Sequence, residues 1–158
     1  PFEKNYKYLF KMVKFFNHYL AKEKKSHIHG DLTLDNIIFQ NMTPYIIDWE
    51  FFGASKSFKG YDLAYLILSA VCLPHISNKK FSNQDEKLFC KLWNLLLNSK
   101  FNKAMLLNPF VFFRKKIKND RILSKSYRLS KSKFFPFITD KDFQKKLLKI
   151  INSLNNEK

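Results

Sequence analysis

The sequence predicts a mainly α fold carrying one small β-hairpin, an α+β arrangement in a single domain. Three observations lead there. Most apolar segments repeat at three- and four-residue steps, the period of a helix face. Two short β-prone runs, Ile37-Ile38-Phe39 and Tyr45-Ile46-Ile47, flank the turn material Gln40 to Pro44. Gly occurs only 3 times and Pro 5 times, too few for a turn-rich all-β chain. The 158 residues are 46% hydrophobic and 17% aromatic, enough for a core and outside the composition of disordered chains.

Taken in order, residues 4–22 form an amphipathic helix, with Tyr6, Leu9, Phe10, Val13, Phe16 and Leu20 on one face. A charged exit, Lys22 to Ser26, follows. Residues 27–36 are polar and contain Gly30, which predicts a loop. The hairpin comes next, with Asp48 at the end of its second strand. Phe51 to Lys59 predicts another loop. From Tyr61 to Leu73 the chain is apolar nearly all round, as expected of a helix in the middle of a core, and Pro74 is expected to stop it. Ser82-Asn83-Gln84-Asp85 predicts an N-cap with an acid in the first turn, opening a helix to about Asn98. Its inward residues are Leu88, Phe89, Leu92, Leu95 and Leu96. Residues 101–113 are a further apolar segment broken by Pro109, and 114–133 are basic, serine-containing and without a clear period. Thr139-Asp140-Lys141-Asp142 caps a last helix whose face is Phe143, Leu147, Ile150, Ile151 and Leu154.

The net charge is +16. Residues 101–158 carry 15 Lys/Arg against 4 Asp/Glu, so most of the excess lies there. A surface for nucleic acid, acidic membrane or a phosphorylated substrate is one reading. A lysine-rich composition is the simpler one, since 26 of the 29 basic residues are Lys and charge runs are usually solvated faces. Cys72 and Cys90 lie in apolar helical runs with no Cys-x-x-Cys spacing, as expected of buried free thiols in a reducing compartment. There is no secretory leader pattern and no apolar run long enough to span a bilayer, which predicts a cytoplasmic protein.

The polar residues around the hairpin form a set. The loop of 27–36 precedes it, Asp48 follows it, and a tight hairpin returns both to one end. Asp31 offers a carboxylate in a polar loop, Asn36 an amide oxygen five positions later, and Asp48 a second carboxylate. Phosphoryl transfer asks for such groups: a carboxylate to orient a hydroxyl and take its proton, and hard oxygen ligands for magnesium.

His29-x-Asp31-x-x-x-x-Asn36 has the spacing of the kinase catalytic loop. With Gly30 in the second position it resembles the aminoglycoside phosphotransferase and choline kinase-like family. Ile47-Asp48-Trp49 resembles that family's metal-binding segment, and Asp62-Leu63-Ala64 a further family element at the start of a helix. The resemblance implies a protein-kinase-like C-terminal lobe over 1–158. Within it, 1–26 is the N-terminal helix, 27–59 holds the catalytic loop, hairpin and metal-binding segment, and 60–158 is a helical subdomain. It implies Asp31 as catalytic base, Asn36 and Asp48 as ligands of Mg2+, and His29 as loop support. Asp62 would accept hydrogen bonds from the loop backbone. ATP would be the co-substrate, and a small-molecule hydroxyl, such as a sugar or an amino alcohol, the acceptor. Asp35 and Glu50 flank the metal positions as surface or capping acids, and His27 and His75 have no evident role.

Only 28 residues precede His29, and no glycine occurs before Gly30. A nucleotide-binding lobe with a glycine-rich loop, strand lysine and glutamate does not fit there. The expectation is therefore a C-lobe fragment, inactive alone, whose N-terminal lobe is supplied in cis or in trans and whose first helix exposes the apolar surface that meets it. The basic C-terminal region argues for a neutral or anionic acceptor over a polycation. Two other classes fit parts of the sequence. A non-catalytic kinase-like binding module would share the motif, but has no reason to keep Asp31, Asn36 and Asp48 together. A basic nucleic-acid-binding protein would use the charge, but no recognition motif accompanies it.

Overall fold

A computed structural model describes residues 2–22, 26–41, 43–49, 53–55, 59–76, 80–111, 113–114 and 140–156. These form helices α1 (Phe2–Lys22), α2 (Tyr61–Ile76), α3 (Asn83–Leu97), α4 (Lys103–Leu107) and α5 (Lys141–Asn156). The strands are β1 (Ser26–Ile28), β2 (Ile37–Gln40), β3 (Thr43–Ile46) and β4 (Gly53–Ser55). The expected α+β class holds: the described residues are mainly helical, with little sheet. The basic segment 115–133, Glu50 and the side chains of Cys72 and His75 lie outside the description. No helix among the described residues is long and apolar enough to cross a membrane.

Helix α2 is the centre. Leu63, Ala64, Leu66, Ile67, Leu68 and Ala70 are buried round its whole circumference. Each large apolar side chain so buried contributes about 2 kcal/mol relative to exposure. That sum far exceeds the cost of the carboxylate the helix carries in its first turn, described below. Pro74 does not end α2, which continues to Ile76. A proline withholds its N–H from the carbonyl four residues back and its ring crowds that carbonyl, but only His75 and Ile76 follow it in α2, and the packed turns before it remain.

The other helices close round α2. Leu9, Met12 and Val13 of α1 are buried, and Phe10 and Phe16 pack half-buried against the core. Helix α3 buries Phe89, Leu92, Trp93 and Leu96. Leu88 and Leu95, expected inward, are half-buried, because Trp93 takes the centre of the face and its Nε1–H donates to Leu106 O at 3.2 Å, anchoring α4. Ser82 and Asp85 form a full capping box: Ser82 Oγ accepts from Asp85 N at 3.2 Å, and Asp85 Oδ2 accepts from Ser82 N at 2.8 Å. Asp140 Oδ1 accepts from the backbone N–H of Asp142 and Phe143, both at 3.0 Å, and so caps α5. All five residues predicted for the α5 face are buried.

The hairpin is present with tighter bounds than the sequence suggests. Strand β2 pairs antiparallel with β3, from Ile37 opposite Ile46 to Gln40 opposite Thr43. Only residues 41 and 42 connect them, and Asn41 takes the left-handed backbone such turns need, at φ 48. A second antiparallel pair lies where loops were expected: β1 pairs with β4, His27 opposite Ala54. It spans the hairpin and ties the start of the 27–36 segment to residues 53–55.

The side chains of 2–7 and 19–22, Tyr6 and Leu20 among them, lie outside the description, so the apolar surface expected on the first helix is seen only over 8–18. Among the described residues of α1, Phe15 is the exposed large apolar side chain. Ile38 and its cross-strand partner Tyr45 are about half exposed (52% and 50%), with Ile47 and Trp49 exposed beyond them. The hairpin packs Ile37, Phe39 and Ile46 against the core and leaves its other face uncovered.

Gly60 caps α2 by accepting Ala64 N–H at 3.0 Å. Its φ is +89, and a Cβ there would lie 2.6 Å from Cγ of the buried Phe101. Both the backbone and the packing demand glycine. Gly60→Ala is expected to destabilise the fold by about 3 kcal/mol through combined strain and overlap. A lowered urea midpoint with an unchanged slope would register it.

Candidate active site

The segment from His29 to Asn36 crosses the N-terminal end of α2. Gly30 takes φ 89, a conformation that side-chain-bearing residues rarely adopt, and this bends the chain over Asp62. Asp62 is buried in the first turn of α2. Its Oδ2 accepts from His29 N at 2.8 Å and its Oδ1 from Gly30 N at 3.0 Å. One carboxylate thus holds two successive backbone N–H groups, the contact the resemblance implies for it. Burial raises the Asp62 carboxyl from its ordinary 3.8 to about 6. The two N–H bonds and His29 oppose the rise, and the Asp31 charge adds to it.

His29 is buried and bonded on both ring nitrogens. Nδ1 accepts from Asp31 N at 3.3 Å, and Nε2 lies 2.8 Å from Ile47 O. This pattern assigns the hydrogen to Nε2, which donates to the Ile47 carbonyl. The ring also packs against Trp49, with centroids 4.9 Å apart. His29 therefore ties the loop to the segment after β3.

Asp31 is half-buried with its backbone held from both sides. Its N–H goes to His29, and its carbonyl accepts from Asn36 Nδ2 at 2.8 Å. The Asp31 carboxylate Oδ1 accepts from Tyr65 Oη at 2.9 Å. Asp31 Oδ2 has no hydrogen-bond partner among the described residues. The bond to the Asp31 carbonyl orients the Asn36 amide, with its nitrogen turned inward and Oδ1 turned away.

Asp48 lies two residues beyond β3, not at its last position as expected. The ladder nonetheless runs one step past the strand, since Ile47 N donates to Asn36 O at 3.1 Å. Ile47 is thus bonded to Asn36 through its N–H and to His29 through its carbonyl, and Asp48 is the next residue. Asp48 has φ 62, an uncommon left-handed backbone that reverses the chain there. Trp49 Nε1 donates back to Ile46 O at 2.8 Å. The Asp48 side chain is exposed and makes no hydrogen bond among the described residues.

Hydrogen bonds thus gather His29, Asp31, Asn36 and Asp62 into one connected set, and the backbone carries Asp48 to its edge. Asp35 is exposed beside it. Among the described residues, no three His, Cys, Asp or Glu converge as a metal-binding group. Asn36 offers an amide oxygen and Asp48 an exposed carboxylate, the hard-oxygen type of donor of which magnesium takes one or two from a protein, completing its shell with water and phosphate. Sequence reasoning missed Tyr65. It sits one helical turn after Asp62 in a run that is apolar nearly all round, yet a buried tyrosine hydroxyl needs a partner, and that requirement was legible.

No family model, curated protein or solved structure matches this chain.

Proposed function

We propose that this chain is the large, protein-kinase-like lobe of an ATP-dependent phosphotransferase acting on a small-molecule hydroxyl, of the aminoglycoside phosphotransferase and choline kinase-like type. One observation carries the reading: the Asp62 carboxylate clamps the His29 and Gly30 N–H groups directly before Asp31, so a buried acid shapes the loop that presents a half-buried one. A surface loop without chemistry has no use for a buried carboxylate costing about 3 kcal/mol at neutral pH.

In this reading Asp31 Oδ2 accepts the proton of the acceptor hydroxyl as its oxygen attacks the γ-phosphorus and ADP leaves. Asn36 Oδ1 and the Asp48 carboxylate would hold Mg2+, which when bound offsets negative charge on the phosphate oxygens. His29 keeps the loop and the Asp48 segment in register. The rigid hydrogen-bonded set serves catalysis by positioning, the main source of rate in phosphoryl transfer. The described residues form no glycine-rich loop or strand lysine over a nucleotide, so that part is supplied from elsewhere, in cis or in trans. The acceptor is a sugar, an amino alcohol or a similar alcohol.

The test is magnesium-dependent release of phosphate from ATP by the full-length protein. Asp48→Ala is expected to raise the magnesium concentration for half-maximal rate by about 10-fold or more, at least what loss of an outer-shell partner costs. An unchanged magnesium requirement would remove Asp48 from the metal site.

A further inference from the structure

Asp31 needs more than a fixed backbone. An aspartate carboxylate turns freely about its last bond, which has broad, two-fold preferences. Backbone bonds from His29 and Asn36 fix where the residue sits, but neither touches the carboxylate. The Tyr65 hydroxyl does, at 2.9 Å from Oδ1.

Tyr65 is well built for that contact. It is buried, its ring stacks on Tyr61 with centroids 5.7 Å apart, and the edge of Phe113 meets it at 6.4 Å. These neighbours leave the ring little freedom. Burial, reinforced by Tyr61 and Asp31, pushes the Tyr65 hydroxyl well above the usual tyrosine range. It therefore stays O–H and donates, and the carboxylate accepts. Tyr65 also stands three residues after Asp62 on α2, so both project from the same helix face. One turn of one buried helix thus supports the loop backbone through Asp62 and the loop carboxylate through Tyr65.

We propose that Tyr65 is the positioning residue for Asp31, holding Oδ1 from the core so that Oδ2 alone faces the acceptor hydroxyl. This rests on the reading of Asp31 as the base. Tyr65 touches no substrate in this scheme and acts only through Asp31. A purely structural role, in which the carboxylate merely satisfies a buried hydroxyl, would leave the rate per folded molecule untouched when the hydroxyl is removed.

The experiment uses the full-length protein with MgATP as the probe and water as acceptor, in four forms: parent, Tyr65→Phe, Asp31→Ala and the double variant. Phe keeps the ring and its packing. Tyr65→Phe is expected to lower kcat about 10- to 100-fold, the range for losing a hydrogen bond to a charged group. KM for ATP should stay within about 2-fold, because only an interaction that orients the base is removed. In the Asp31→Ala background the same change should alter the residual rate by less than about 2-fold, since nothing is left to position. Binding of a non-hydrolysable magnesium–ATP analogue should be unchanged in all four. A parent-level kcat in Tyr65→Phe, beside a clear loss in Asp31→Ala, overturns this inference alone. Equal losses from Tyr65→Phe in both backgrounds also overturn it. Parent-level turnover in Asp31→Ala overturns the reading of the base, and this inference with it.

Discussion

Asp62→Asn is expected to leave the protein folded, within about 2 kcal/mol of the parent, while cutting magnesium-dependent ATP turnover of the full-length protein about 100-fold. The two effects separate because two opposing terms act on stability. Replacing the carboxylate removes the cost of a buried charge, about 3 kcal/mol at neutral pH from the rise of its pKa to about 6. It also turns an NH2 toward one of the two backbone N–H groups that Asp62 now satisfies. An unpartnered buried N–H costs about 1–3 kcal/mol. The terms nearly cancel. The geometry does not recover, because an amide can accept one N–H but repels the other. Gly30 and its neighbour Asp31 then shift, and a shift of about 1 Å at a reacting group costs on the order of 100-fold. Chemical denaturation and steady-state kinetics on one preparation check both halves.

The same carboxylate sets a pH dependence of definite sign. Asp62 binds its proton more tightly folded, at about 6, than at the ordinary 3.8 of an exposed aspartate. Between those values the folded state holds more protons than the unfolded. The contribution of Asp62 to stability is therefore fully present below 3.8 and is lost as pH rises through about 6. Protonation works the other way on the loop, since a carboxyl with its own O–H has one acceptor fewer for His29 and Gly30. His29, Asp31 and Tyr65 are titratable groups that interact with it. Acidification through pH 6 should loosen the loop with no loss of stability from this group.

The local features were the most legible in the sequence. The hairpin followed from two short β-prone runs and the turn residues between them, and the α3 and α5 caps from Ser82, Asp85 and Asp140. The central helix followed from being apolar nearly all round. The spacing of His29, Asp31, Asn36, Asp48 and Asp62 marked the candidate site as a set. Non-local features were not legible. Strands β1 and β4 are three residues each, too short to show a period, and they pair across an intervening hairpin. Continuation of α2 past Pro74 depends on the packing of earlier turns, which outweighs one missing hydrogen bond. The left-handed backbone at Asp48 is imposed by contacts on either side of it, from His29 to Ile47 and from Trp49 to Ile46. Tyr65 lay hidden among apolar neighbours, since its ring follows the core pattern while its hydroxyl does not.

In the proposed phosphoryl-transfer site Asp31 is the base. Its loop is fixed by Asp62, its carbonyl by Asn36 and one carboxylate oxygen by Tyr65. So restrained a carboxylate with one oxygen free is suited to taking a proton from a hydroxyl. A positioned general base contributes about 100- to 10,000-fold to rate. The most direct measurement is turnover of MgATP by the full-length protein and its Asp31→Ala variant, with binding of a non-hydrolysable magnesium–ATP analogue followed alongside. A rate loss within that range and undiminished nucleotide binding are expected. An Asp31→Ala protein that turns over ATP at the parent rate would contradict the role of Asp31 as base.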